Sequence, residues 1–239
     1  VVVGDFNGDG KPDLATASSG FLDYVSVLLG VGDGTFGPRQ DFRAGMALRR
    51  LAVGDFNADG KADLAVADVN ADAVLLLLGV GDGTFGEPQS IGAGDAPVSV
   101  AVADFNADGK ADLAVANGIG DNVSVLPGNG DGTFGARVDY PAGDSPRQVT
   151  VSDFNADGKP DLAVTNGGSN SVSVWLGVGD GTFGARVDFA VGTDPSGVTV
   201  GDFDGDGKAD IAVANTGGIL GNSVTVSVLP GNGNGTFGA

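Results

Sequence analysis

The chain has no cysteine and no histidine. Those absences exclude disulfides, thiolate nucleophiles, zinc sites of the Cys/His type and any imidazole acid or base. One Trp and two Tyr leave few exposed platforms for stacking a sugar. Basic residues are also scarce: 31 Asp and Glu face 12 Lys and Arg, for a formal net charge of -19. Such a field repels phosphate backbones and anionic surfaces, so nucleic acid is not an expected partner. No apolar run approaches the roughly 18 to 20 residues of a spanning helix, and membrane insertion is not expected. No basic-then-apolar signal segment precedes Val1, where the chain opens inside a strand-like run, as in a domain cut from something longer.

What is abundant is glycine, 44 residues in 239, set at fixed offsets between apolar runs. A nine-residue stretch, first Asp5-Phe-Asn-Gly-Asp-Gly-Lys-Pro-Asp13, recurs from Asp55, Asp104, Asp153 and Asp202. The period is 50 residues once and 49 three times. Within the third repeat, Val98, Val100 and Val102 alternate with Ser99, Ala101 and Ala103, the period of a strand. Four such strands per repeat, with no apolar run of helical period, predict an all-β fold: a β-propeller of five four-stranded blades. The blades fall near residues 1–44, 45–93, 94–142, 143–191 and 192–239 of a single domain. The chain stops soon after Phe237, before a fourth strand of the last blade, so an exposed edge is expected there unless a missing segment or a partner covers it.

Antiparallel order puts the strand one-to-two loops and the three-to-four turns on one face. The two-to-three turns, such as Ser18 to Tyr24 and Asn215 to Ser223, and the four-to-one connections form the other. These segments vary most between repeats.

The nine-residue stretch has the spacing D-x-[DN]-x-D-G-x-x-D. Alternate oxygen donors on a short loop suit calcium, which takes six to eight oxygens at about 2.3–2.6 Å. The first loop offers Asp5, Asn7, Asp9, the Lys11 carbonyl and Asp13. The second offers Asp55, Asn57, Asp59, Lys61 and Asp63; the third Asp104, Asn106, Asp108, Lys110 and Asp112. The fourth offers Asp153, Asn155, Asp157, Lys159 and Asp161, and the fifth Asp202, Asp204, Asp206, Lys208 and Asp210. About one Ca2+ per repeat is expected, tightest at the fifth loop, which has one more carboxylate. Five divalent ions would bring the charge from -19 to -9. A loop of this composition can also be a turn that binds nothing, but three or four unneutralised carboxylates would repel one another. The second loop position, Phe in all five copies, is expected to point back into its own blade, and the lysine side chain to point to solvent.

The loop, followed by a Phe-Gly turn and a small-residue stretch, resembles the FG-GAP and VCBS repeats of integrin α-subunit propellers, some fungal lectins and large bacterial surface proteins. The resemblance covers essentially the whole chain. It implies a propeller with calcium between the first and second strands of each blade and, as in integrins, a ligand face opposite the calcium loops. Five repeats, shorter blades and no inserted domain depart from integrins, so integrin-type recognition does not carry over.

The Gly-Asp-Gly-Thr-Phe-Gly turns, with Asp33, Asp82, Asp131 and Asp180 and with Asn234 in the last copy, read as tight hairpins whose Phe returns to the core. Trp175 aligns with Leu28, Leu77, Leu126 and Leu229, and Tyr140 with Phe42, Ile91 and Phe189, so both are expected to pack rather than bind. Tyr24, beside Phe21 in a divergent turn, is the candidate exposed aromatic. Arg49, Arg50 and Arg147 lie on the variable face, where they can meet an acidic ligand or a sugar hydroxyl, or stand as solvated loop charge.

These features predict a non-enzymatic, calcium-stabilised propeller acting as a binding or adhesion module, extracellular or at the cell surface. Its protein or glycan ligand would sit on the face opposite the calcium loops. The alternative is a lectin with sugar pockets repeated between blades. A polysaccharide-active enzyme is a third class and would need a unique acid pair in the central channel.

Overall fold

The computed structural model describes residues 1–18, 23–217 and 224–238. It is all-β, with five separate antiparallel sheets of four, four, four, four and three strands, each ordered as in the chain. First strands are Val2–Gly4, Leu48–Gly54, Pro97–Ala103, Pro146–Ser152 and Pro195–Gly201. Second strands are Asp13–Ser18, Asp63–Asp68, Asp112–Asn117, Asp161–Asn166 and Asp210–Asn215. Third strands are Tyr24–Leu28, Ala73–Leu77, Asn122–Leu126, Ser171–Trp175 and Thr225–Leu229. Fourth strands are Gln40–Arg43, Gln89–Gly92, Val138–Pro141 and Val187–Ala190. One 3-10 turn, Val69–Ala71, interrupts this pattern among the described residues.

The fold is a propeller of five blades whose sheets do not close into a ring, the fifth blade having three strands among the described residues. Register follows the alternation seen in the sequence: Val100 pairs with Val115 and Val102 with Leu113, so large side chains share a face. The second strands of the three middle blades are buried on both faces, since Asp63–Asp68, Asp112–Asn117 and Asp161–Asn166 are buried throughout.

The cores lie between blades. Phe6, Val25 and Val27 of the first blade join Leu51, Leu64 and Leu77 of the second in one cluster. Equivalent clusters bridge blades two and three, three and four, and four and five. The loop Phe turns back onto the face of its own blade, where a Cβ on Gly4 would come within 3.0 Å of the Phe6 ring and one on Gly54 within 2.8 Å of Phe56, and the next blade covers it. Phe6 meets Phe85 of the next blade at 5.8 Å, Phe56 meets Phe134 at 6.0 Å, Phe105 meets Phe183 at 5.4 Å and Phe154 meets Phe237 at 5.6 Å. A sheet this thin has no interior, so a large side chain is buried only where a neighbouring sheet covers it.

Trp175 is buried, and Tyr140 packs edge-on against Phe183 at 5.3 Å. Tyr24 opens a third strand, pairs with Ser18 and Arg43, and is half-buried rather than displayed on a turn tip. Phe21 and the turn residues 19–22 and 218–223 lie outside the described residues.

Candidate functional site

Each acidic loop is held by its own backbone. Asp5 accepts the amides of Gly8 at 2.8 Å, Asp9 at 3.1 Å and Gly10 at 2.8 Å, while Asn7 Oδ1 accepts Asp9 N at 3.1 Å. The ninth position is the anchor. Asp13 is fully buried and accepts Phe6 N at 2.8 Å and, from the far turn, Gly30 N at 2.7 Å. The same two bonds recur at Asp63, Asp112, Asp161 and Asp210. They tie the acidic loop to the Phe-Gly turn and so place both on one face.

Burial pushes the Asp63, Asp112 and Asp161 carboxyls up from their ordinary range, against the pull of the two amides. Repulsion from the first- and fifth-position aspartates of each loop adds to the rise. At the fifth loop, carboxylate oxygens of Asp202, Asp204 and Asp210 all lie within 4.8 Å of one another. Asp206 is not in that group, because its Oδ2 is 2.6 Å from Lys208 Nζ. The other loop lysines turn back in the same way, with Lys11 at 3.1 Å from Asp9, Lys61 at 3.2 Å from Asp59, and Lys110 and Lys159 at 3.5 Å from Asp108 and Asp157. The lysines stand at the surface as expected, their side chains 43–44% exposed, and each also closes on the carboxylate two residues before it. The Lys11 amide and ammonium together hold Asp9 below the ordinary carboxylate range, and the Lys208 ammonium and amide do the same for Asp206.

The donor set is all oxygen, carboxylate-rich and, at position nine, buried without a basic partner of its own. That chemistry fits a hard divalent cation. At the fifth loop the residues that converge are positions one, three and nine, while position five is turned to its lysine.

The opposite face is organised by bulges. Register shifts at the start of the first strands of blades two to five set Arg49 with Arg50, Val98, Arg147 and Ser196 out of the ladder. These bulged residues line one cavity of about 440 Å3 at the channel mouth, with Ala17 and Leu48. Arg147 spans two blades to bind Asp194 at 2.8 Å, and Arg50 reaches across the channel to the Ser196 carbonyl at 3.1 Å. Burial lowers the Arg50 guanidinium from its ordinary value. Arg49 is exposed beside them. Tyr24 is not among the residues lining this cavity.

Sequence reasoning missed the polar residues beneath this face. Asn117 donates to Ser124 at 2.8 Å and Asn166 to Ser173 at 2.8 Å, both buried. Asp72, Asp121 and Asn170 each accept an amide from the next connection, those of Ala96 at 2.9 Å, Ser145 at 2.8 Å and Asp194 at 2.8 Å. Their recurrence at one repeat position was the available signal.

The FG-GAP-like repeat pattern matches residues 5–66, 55–115, 104–164 and 153–213. The chain belongs to the FG-GAP-like repeat family. Each match runs from one acidic loop into the next repeat's second strand, so the family unit contains the inter-blade contact described above. No curated protein sequence matches this FG-GAP-like chain. Among solved structures it is similar to an Agrocybe aegerita lectin that recognises non-reducing terminal N-acetylglucosamine, at 23% identity and a TM-score of 0.64, over 99% of this chain and 63% of the lectin. It is also similar to a periplasmic gluconolactonase of Pseudomonas aeruginosa, at 20% identity and a TM-score of 0.68, over 98% of this chain and 67% of that one. A functionally unknown Desulfotomaculum acetoxidans protein matches at 15% identity and a TM-score of 0.65, over 95% and 71%. The FG-GAP-like chain thus spans about two thirds of the lectin and the gluconolactonase, and the likeness is one of fold. No described helix is long and apolar enough to cross a membrane.

Proposed function

We propose that the chain is a non-enzymatic, calcium-stabilised propeller that acts as a binding module of an extracellular or cell-surface protein. Its ligand is an acidic group of a protein or glycan, taken at the arginine-bearing channel mouth. The observation that carries this reading is the placement of three arginines, Arg49, Arg50 and Arg147, around one cavity in a chain of net charge -19. Most of the acids lie in the acidic loops and Phe-Gly turns of the other face, whereas Arg49, Arg50 and Arg147 gather at the mouth, which favours a carboxylate arriving there. Calcium would be held by positions one, three and nine of each loop, with position five and the position-seven carbonyl completing the shell once the lysine is displaced. An extracellular setting supplies calcium abundantly.

The channel cavity below the mouth, about 250 Å3, is lined by Arg49, Arg50, Ser99, Gln148 and apolar residues, without a carboxylate. That composition supports binding over hydrolysis by paired acids. A second reading, a lectin, is favoured by the fold shared with the Agrocybe aegerita lectin. A glycan array with calcium-loaded protein separates the two. Binding confined to carboxylate-bearing sugars and lost in Arg49→Glu supports the acidic-ligand reading. Binding to neutral sugars that survives Arg49→Glu and Arg50→Glu refutes the assignment of the mouth.

A further inference from the structure

In blades two to five the connection into the first strand carries one residue in the left-handed region: Ala47, Ala96, Ser145 and Asp194, with φ of 64°, 55°, 53° and 53°. Three of these side chains are small and uncharged. Asp194 alone brings a charge, and three partners fix it. Its amide donates to Asn170 Oδ1 at 2.8 Å, the Thr216 hydroxyl donates to its Oδ2 at 2.7 Å, and Arg147 Nη2 donates to its Oδ1 at 2.8 Å.

The fourth blade leaves room for this pair. A Cβ on Gly167 would stand within 2.6 Å of Arg147 Nε and 3.0 Å of Asp194 Oδ1. Gly167 lacks a positive φ, so space rather than backbone shape makes glycine necessary there; Val69 holds the same repeat position in blade two. Arg147 therefore enters the mouth with its charge already met, whereas Arg49 and Arg50 form no ion pair with another described residue. The Asp194 side chain stays 26% exposed beside Arg147, so its own charge also reaches a ligand arriving there.

We infer that Asp194 is a specificity-determining residue of the mouth: it restricts the site to ligands offering one carboxylate and turns away those with a second anionic group beside it. The inference rests on the reading of the arginine mouth given above. Arg49 and Arg50 are free to take one carboxylate. A second anionic group finds Arg147 occupied and faces the Asp194 charge, and like charges brought together at an interface cost affinity. Without that charge the mouth would offer a third guanidinium.

Asp194→Asn tests this, because Asn keeps an oxygen for Arg147 and a polar partner for the Thr216 hydroxyl while removing the charge. The probes are a glucuronate-bearing disaccharide and the same disaccharide carrying one sulfate, titrated calorimetrically into calcium-loaded protein. Wild type is expected to bind the unsulfated form and to bind the sulfated form no more tightly. In Asp194→Asn the sulfated form should gain at least about tenfold relative to the unsulfated one, and the gain should shrink in high salt. If Asp194→Asn is unstable, Asp194→Ala replaces it, since Ala47 and Ala96 already occupy this position at positive φ. Suppose the unsulfated form binds and Arg49→Glu abolishes that binding. A sulfated-to-unsulfated affinity ratio that is then the same in wild type and variant, or a wild type that already prefers the sulfated form tenfold, overturns the role of Asp194 and leaves the mouth standing. A wild type that binds neither disaccharide, or whose binding survives Arg49→Glu, overturns the mouth and this inference with it.

Discussion

Phe6 and Phe85 belong to different blades, yet their rings meet edge to face at 5.8 Å and the Phe6 carbonyl accepts Gly83 N at 2.9 Å. The acidic loop of one blade is thus capped by the Phe-Gly turn of the next. Loop, turn and core form one unit that crosses the blade boundary.

The first prediction compares one residue type at one repeat position. Phe105→Ala removes a ring that is 2% exposed and should cost about 3–5 kcal/mol. Phe203→Ala removes a ring that is 51% exposed and should cost under about 1 kcal/mol. Urea unfolding of the two variants side by side checks it; equal losses would show that the loop Phe packs within its own blade.

Asp112 should matter even without metal. It accepts Phe105 N at 2.9 Å and Gly128 N at 2.7 Å in a buried site, so Asp112→Asn sets an NH2 group against an amide donor. A loss of about 1–3 kcal/mol is expected in chelator. A destabilisation seen only with calcium present would assign Asp112 purely to the ion.

Calcium removal should lower the melting temperature, since an ion that binds the folded loops and not the open chain stabilises by mass action. The fifth loop, with Asp204 where the others have Asn, should be the tightest site. Calorimetric titration is expected to show one strong site ahead of the rest, and Asp204→Asn to merge it with them. An unchanged melting curve in excess chelator would remove calcium from this account.

The turn aspartates give a pH prediction. Thr35, Thr84, Thr133 and Thr182 hydroxyls, with their amides, hold Asp33, Asp82, Asp131 and Asp180 below the ordinary carboxylate range. A lowered folded pKa stabilises above the unfolded value of about 3.9, and that contribution is lost as pH falls through the folded value. Asn234 makes the same bonds to Thr236 without a charge, at 3.1 and 2.6 Å. Replacing all four aspartates by Asn should leave neutral-pH melting nearly unchanged and flatten its decline below about pH 4. A large loss at neutral pH would mean the charge itself is required.

Much of this was readable beforehand. The alternation of Val98, Val100 and Val102, the five acidic loops and their shared face followed from short-range rules of strand period and hairpin parity. Arg147 could not be read correctly, because its partner Asp194 is 47 residues away and reached only across a blade boundary. The Lys11–Asp9 ion pair was not legible either, because spacing alone does not show that Asp9 faces the ammonium.

By itself the sequence determined the repeat, the strands and the oxygen-rich loops, all of which depend on residues close together in the chain. Only the tertiary structure decided where the large side chains go. Phe6 is buried and Phe203 is not, although their local sequences are nearly the same, because burial requires a neighbouring blade and only one of them has it.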